Sequence, residues 1–416
     1  MGASLPSYPE AAATVYEYSS RLLAQAKRTE PVALGNALGR MLASAVRADR
    51  DMPAFPRSTR DGFAVRAAEA SGWLSIAGSI RAGDPPAAPL LPGSAWEIMT
   101  GSAVPEGADA VAMLEHVEFA PVEQDGARVR LAPGRKLDPG ENVVAAAAEA
   151  RAGDEIIPAG TRLGPAQIAA AATCGYAIVE VFARPRVAIL TTGDELVAVD
   201  ATPGPGQIRN SNGPMLAALV AQAGGDPWLL PAVPDQSASI ESALRTGLEA
   251  DLLLISGGVS AGKFDLVEPA LAALEATFHF TGVRMQPGKP LVFGDLPVPG
   301  RLLPFFGHPG NPISTAATFL LFAAQVLRAL SGEKALAPQF AAARLARDAR
   351  GKPNLTRFIP ARATIDALPG SMPSVVPVPW QGSGDLAAFA RANCFLVIPE
   401  GADHVASGDI VTILPI

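Results

Sequence analysis

Between Val187 and Leu330 short apolar runs alternate with segments of helical period, and this alternation limits the folds open to the chain more than any other feature. Runs at Val187–Leu190, Trp228–Ala232, Asp251–Ile255, Phe278–Val283 and Leu302–Phe306 read as strands. Pro214–Gln222, Ser237–Leu248, Leu266–Leu274 and Ile313–Leu330 read as the helices between and after them. The pattern predicts βα units feeding a doubly wound, mostly parallel sheet. In such sheets ligands bind outside the carboxyl ends of the strands, where loop amides are free and the next helix presents its positive end.

Those ends carry unusual loops. They read Thr191-Thr192-Gly193-Asp194-Glu195-Leu196, Val233-Pro234-Asp235, Ser256-Gly257-Gly258-Val259-Ser260-Ala261-Gly262-Lys263-Phe264-Asp265, Gln286-Pro287-Gly288-Lys289-Pro290, and Gly307-His308-Pro309-Gly310-Asn311-Pro312-Ile313-Ser314. Glycine admits a ligand close to the backbone, proline stiffens the loop, and hydroxyls and amides are donors for phosphate or another oxyanion. The 40 Gly and 39 Pro of the 416 residues show no collagen-like period, and twelve of them fall in these five loops. Glu195, Asp235 and Asp265 come from three different loops, and hard carboxylates beside phosphates are how Mg²⁺ is usually held. Competing readings are ordinary: a helix N-cap for Asp194 or Glu195, a helix start for Pro234-Asp235, a solvated loop lysine for Lys289.

Around this unit the chain divides further. Residues 10–50 carry helical spacing (Leu22, Leu23, Ala26, then Leu34, Leu38, Met41, Leu42), and helical patterning returns between Pro165 and Cys174. Residues 10–50 with 143–176 therefore read as a helical base. Residues 51–142 read as an inserted β-domain of short runs such as Gly72–Ala77 and Val129–Leu131, between turn-rich stretches. The α/β domain takes 177–331, and 332–416 read as a C-terminal β-domain with runs at Phe358–Ala363, Val375–Val378, Cys394–Ile398 and Ile410–Leu414.

Composition narrows the function. With 33 Lys plus Arg against 40 Asp plus Glu, the chain lacks the basic excess that holds nucleic acid. Cys174 and Cys394 stand far apart without a Cys/His cluster, so neither a disulfide framework nor a zinc site is predicted. The N-terminus lacks a signal-peptide pattern, and the greasy stretch from Phe319 to Leu330 is shorter than the ~20 residues that span a bilayer. A cytoplasmic protein without membrane partners is expected. A P-loop and a Rossmann glycine fingerprint after the first strand are both missing. Of the four histidines only His308 lies in a motif loop, and His279 alternates with Phe278 and Phe280 as a structural strand residue.

With these residues in place, the chain resembles the MoeA family of molybdopterin molybdenumtransferases, which includes the E domain of gephyrin. Ser58-Thr59-Arg60-Asp61-Gly62-Phe63-Ala64 is similar to one family motif. Ile98-Met99-Thr100-Gly101-Ser102-Ala103-Val104-Pro105, with Gly107-Ala108-Asp109-Ala110-Val111, is similar to another. The sheet loops match the domain shared with molybdopterin adenylyltransferases, and Gly382-Ser383-Gly384 and Ala390-Arg391-Ala392-Asn393 resemble the C-terminal motif.

The resemblance implies insertion of molybdate into adenylylated molybdopterin, with Mg²⁺ required and AMP released. It places Glu195, Asp235 and Asp265 at the divalent ion. Thr192, Gly193, Ser256, Gly257, Gly258, Ser260, Gly262, Pro287, Gly288, Pro290, Pro309, Gly310, Asn311 and Pro312 would cradle substrate. Lys289, Ser314, Arg357 and Ser383 fall to molybdate, a small tetrahedral dianion that calls for cationic and hydroxyl donors. It also implies a homodimer whose active site receives Asp61 and Thr100 from the partner subunit, over the competing reading of Asp61 before Gly62 as a β-turn residue. A molybdopterin adenylyltransferase and other cofactor-biosynthesis proteins are its implied partners. Two positions depart from the family pattern. His308 stands where an apolar residue is frequent, and Gln286 where some members carry Lys or Arg, which leaves molybdate against tungstate open. The competing functions are an adenylyltransferase, disfavoured by the outer motifs, and a non-catalytic scaffold, disfavoured by the intact acidic set.

Overall fold

The computed structural model describes residues 4–25, 27–120, 127–258, 266–365 and 370–416. A six-stranded sheet runs in the spatial order Asp226–Leu229, Arg186–Thr191, Leu252–Ser256, Arg301–His308, Val292–Val298 and Thr277–Thr281. The first four strands are parallel and the last two pair antiparallel. A parallel strand covered on both faces has no side free for polar residues, and Leu252–Ser256 is buried along its whole length.

Successive side chains point to opposite faces, so each strand feeds two cores. Val187, Ile189, Leu252, Leu254 and Phe306 pack against Leu216 and Val220 of helix Asn212–Gln222 and Ile313 of the helix after the last strand. Ala188, Leu190, Leu253 and Ile255 pack against Ile240 and Leu244 of helix Ser237–Gly247 and Leu271 of helix Val267–Ala273. Each such Leu or Ile contributes about 2 kcal/mol by burial.

Strand Val292–Val298 was not foreseen. Gly294 and Pro297 disguise it, yet a Cβ at Gly294 would meet the Thr277 carbonyl oxygen at 2.2 Å and the Phe305 ring at 2.7 Å. The missing side chain is what lets this strand lie between its neighbours. The expected helix Ile313–Leu330 is Pro312–Thr318, a π-helical turn Phe319–Ala323, and Ala324–Leu330. Over 19 residues it is long and apolar enough to cross a membrane, but 83% of that stretch is buried in the protein, so its greasiness is consumed by the core.

The expected helical base is instead mixed. Strand Thr29–Ala33 pairs antiparallel with Ile178–Phe182, and Val46–Arg47 pairs with Glu155–Ile157. The three-to-four spacing from Leu34 to Leu42 yields only a 3₁₀ turn, Leu34–Asn36, followed by bridges from Met41 to Arg162 and Leu42 to Val181. Gly39 at φ +74° breaks any helix there. Helix Tyr8–Leu23 starts with a capping box between Ser7 and Glu10, and buries Ala11, Val15, Tyr18 and Leu22 in the core of the α/β sheet, not among residues 29–182.

The inserted segment forms its own six-stranded sheet, with Gly62–Val65 between Ala110–Met113 and Ser94–Ile98. Near the C-terminus, Ala341–Leu345, Thr356–Thr364, Ser374–Pro377, Cys394–Ile398 and Ile410–Pro415 close into a barrel, because Thr356–Thr364 pairs with both Ser374–Pro377 and Cys394–Ile398. Residues Met285–Gln286 add to this barrel in parallel, with Gln286 opposite Arg357. That pairing ties the loop after Gln286 to the C-terminal unit.

Candidate functional site

The carboxyl ends of the parallel strands open on a cavity of about 810 Å³. It is lined by Thr192, Gly193 and Glu195 from the first loop, Asp235 from the second, Ser256, Gly257 and Gly258 from the third, and Pro309, Gly310, Asn311 and Pro312 from the last. A second cavity of about 420 Å³ adjoins it and shares Pro290, Pro309 and Asn311. It is lined by Gln286, Pro287, Gly288, Lys289, Ser314, Arg357 and Ser383.

Local geometry explains the loop composition. Gly257 has φ +103°, and a Cβ there would sit 2.3 Å from the Thr192 carbonyl oxygen, so the first and third loops touch backbone to backbone. Thr192 Oγ1 donates to Asp235 Oδ1 at 2.5 Å, and the Asp235 amide donates to Asp194 Oδ1 at 3.0 Å. Asp194 is thus a clasp between two loops. It caps no helix, since residues 194–195 are a turn followed by strand Leu196–Val197. The helix-start reading of Asp235 fails likewise, because Gln236 occupies the N-cap of Ser237–Gly247 and no side chain caps it. Asp235 and Glu195 both line the large cavity. Glu195 has no hydrogen bond or ion pair among the described residues.

In the second cavity Arg357 Nη1 donates to the Arg350 carbonyl at 2.5 Å, while its Nε is buried without a partner, and burial pulls the guanidinium below its ordinary pKa. Gln286 Oε1 is also buried and unpartnered. Buried polar atoms without partners are costly, and both belong to residues that line this cavity. Main-chain contact between Ile313 N and the Ser383 carbonyl at 3.0 Å joins the barrel to the last loop.

Asp61 and Thr100 pair with each other: the Thr100 amide and hydroxyl both donate to Asp61 Oδ1, at 2.7 and 2.9 Å. These bonds hold the Asp61 carboxyl below its usual range. Neither residue lines either cavity of its own chain. Thr100→Val is expected to remove the hydroxyl's share and raise the Asp61 pKa toward that of an ordinary aspartate, which an NMR titration of the carboxyl reads directly. Ser260, Gly262 and Asp265 lie outside the described residues.

Two residues missed in the sequence are Asn210 and Asn212, both lining the large cavity. Asn212 Nδ2 donates to Ser256 Oγ at 2.9 Å and to the Gly310 carbonyl at 2.7 Å, bridging the third and last loops. Asn210 Nδ2 donates to Thr191 Oγ1 at 2.8 Å. The cluster Arg209-Asn210-Ser211-Asn212 ahead of a helix is the signal that could have found them.

Carboxylates beside a glycine-lined cavity suit a phosphate ligand with a hard divalent ion. Glu195 and Asp235 supply such oxygens. Among the described residues no group of three or more potential ligands comes together, and Glu195 and Asp235 are the two carboxylate residues that line this cavity.

Comparison with known proteins agrees across the chain. Residues 7–175 match the MoeA N-terminal region (domain I and II), 188–329 a probable molybdopterin binding domain, and 342–416 the MoeA C-terminal region (domain IV). A molybdopterin molybdenumtransferase of Nostoc sp. is 36% identical over 419 residues, covering 99% of this chain and 94% of that one. One from Staphylococcus aureus is 33% identical, over 92% and 90% of the two chains. A molybdopterin biosynthesis MoeA protein from Pyrococcus horikoshii OT3 superposes with a TM-score of 0.83 at 26% identity, covering 99% of this chain and all of that one. A second structure, described as a MoeA protein from Pyrococcus horikosii, gives 0.75 at 30% identity, covering 97% and 98%. With the domains in order, the cavities at the strand ends and relatives matched over nearly their whole length, the chain belongs to the MoeA family of molybdopterin molybdenumtransferases.

Proposed function

We propose that this transferase binds adenylylated molybdopterin across the large cavity and molybdate in the second, inserts molybdenum at the dithiolene, and releases AMP. The observation that carries the reading is the division of labour between two adjoining cavities that share Pro290, Pro309 and Asn311. One offers small loops and carboxylates, suited to a pyrophosphate with a divalent ion. The other offers Lys289, Arg357, Ser314 and Ser383, suited to a tetrahedral dianion. The last loop lines both cavities and is tied to the barrel by the Ile313 amide donating to the Ser383 carbonyl at 3.0 Å, which favours reaction by positioning.

Mg²⁺, held by Glu195 and Asp235 with Asp265 as a further candidate, would supply charge neutralisation at the phosphoanhydride. The chain's own part is to hold those carboxylates: Thr192 fixes one oxygen of Asp235 and Asp194 fixes its amide. Asp61 and Thr100 lie outside both cavities of their own chain, which supports a homodimer in which the partner subunit supplies that pair. The protein is read as cytoplasmic, passing cofactor between a molybdopterin adenylyltransferase and later steps.

Purified protein supplied with adenylylated molybdopterin, Mg²⁺ and molybdate is expected to release AMP and form active cofactor in a molybdate-dependent way. AMP release indifferent to molybdate would sink the reading. Turnover from ATP with free molybdopterin would establish the adenylyltransferase instead, and binding with no turnover of either kind the scaffold.

A further inference from the structure

His308 ends the last parallel strand and is fully buried, inside a loop where an apolar residue would be the simpler choice. Its Nδ1 lies 2.8 Å from Thr318 Oγ1. The Thr318 hydroxyl spends its proton on the carbonyls of Ser314, at 2.8 Å, and Thr315, at 3.1 Å. It therefore accepts from His308, which sets the imidazole as the Nδ1–H tautomer. Nε2 is left buried and unpartnered. Burying that nitrogen costs free energy that a leucine would avoid, so packing alone gives no reason for histidine here.

Thr318 is the point where two parts of the second cavity meet. Its hydroxyl back-bonds to Ser314, whose own residue lines the cavity. Its methyl faces the Lys289 loop so closely that a Cβ added at Gly288, itself at φ +109°, would sit 2.6 Å from Thr318 Cγ2. It is also the last residue before the π-helical turn Phe319–Ala323, the kind of irregularity that helices carry at functional sites. The hydrogen bond from His308 thus adds to the two back-bonds that hold the rotamer of a side chain against which both the Ser314 turn and the Gly288–Lys289 loop rest.

We propose that His308 is a positioning residue for the oxyanion cavity, acting through Thr318 to set where the Gly288–Lys289 loop stands relative to Ser314. It touches no reacting atom. The catalytic arm of the test rests on the functional reading above, and a second arm is independent of it.

The first arm compares H308L, H308N and T318V as full-length proteins with adenylylated molybdopterin, Mg²⁺ and molybdate. H308L and T318V are each expected to raise KM for molybdate about five-fold, the worth of one neutral hydrogen bond. KM for adenylylated molybdopterin and kcat should stay within about two-fold. H308N, whose amide nitrogen can stand in for Nδ1, should restore the wild-type value. The double variant H308L/T318V should be no worse than either single one, since both break the same contact. Equal losses in kcat and both KM values, failure of H308N to rescue, or additive effects in the double variant would overturn the inference.

The second arm follows hydrogen exchange of the segment 283–291, where the Val283 amide is bonded to the Lys289 carbonyl at 2.8 Å and the Leu291 amide to the Gly288 carbonyl at 3.2 Å. Exchange should quicken in H308L and T318V and stay at the wild-type rate in H308N. Unchanged exchange in H308L, or faster exchange with an unchanged molybdate KM, overturns the positioning role. Faster exchange in a protein whose wild type never turns over molybdate upholds the positioning role and discards the functional reading. Should H308L not fold, T318V against T318S, which keeps the hydroxyl, decides the same question.

Discussion

Asp235→Asn is expected to lower molybdate-dependent AMP release about a thousandfold while leaving the melting temperature within a few degrees of wild type. Asparagine is nearly isosteric, and its amide oxygen can still accept from Thr192 Oγ1, now 2.5 Å away. The backbone clasp to Asp194 does not involve the side chain and survives. What disappears is one full negative charge facing the large cavity, beside a Glu195 carboxylate with no partner among the described residues. Electrostatic groups placed where phosphate charge develops are worth about 10²–10³ in rate, and losing a carboxylate also weakens any divalent ion held there. Measuring AMP release against Mg²⁺ concentration separates the two effects. A loss fully recovered at high Mg²⁺ assigns Asp235 to ion binding alone. Unchanged turnover at all Mg²⁺ concentrations would remove Asp235 from the site.

Acid should weaken the fold through His308, and H308L should abolish that part of the slope. Burial pushes the His308 pKa down to about 3 from an ordinary value of 6.5, so the folded protein keeps it neutral while the unfolded chain protonates it. The unfolded state therefore binds the extra proton as pH falls below 6.5, and stability is lost progressively from there toward pH 3. Between pH 7 and pH 5 this one group should cost about 2 kcal/mol, from roughly 1.36 kcal/mol per pH unit over the interval below 6.5. Denaturant unfolding of wild type and H308L at both pH values reads it as a difference in slopes, which cancels the shared contribution of the carboxylates. Parallel slopes would mean that His308 takes up its proton in the folded state.

The loops were legible because their chemistry is local. Strings such as Ser256-Gly257-Gly258 and Pro287-Gly288-Lys289-Pro290 spend residues on close approach and donors where ordinary turns need one or two, and all the described members line one of two cavities. Strand Val292–Val298 was hidden by the same rule. Its glycine and proline read as turn residues, but there glycine serves contact between strands and the Phe305 ring, not contact with a ligand. The helical spacing from Leu34 to Leu42 misled because apolar residues three or four apart also arise in a short turn followed by bridges. Asn212 escaped because its value lies in bridging Ser256 and Gly310, two positions far away in the chain.

The sequence by itself determined the alternating α/β unit, the family and the identity of the strand-end loops, since period, loop composition and motif order are properties of neighbours in the chain. Tertiary structure alone decided that the N-terminal helix serves the sheet core and that Met285–Gln286 joins the C-terminal barrel. It also made Asp194 a clasp instead of a cap, and brought His308 to Thr318. Each of these depends on which distant surface a side chain or amide meets when the chain closes on itself, and no local pattern encodes that partner.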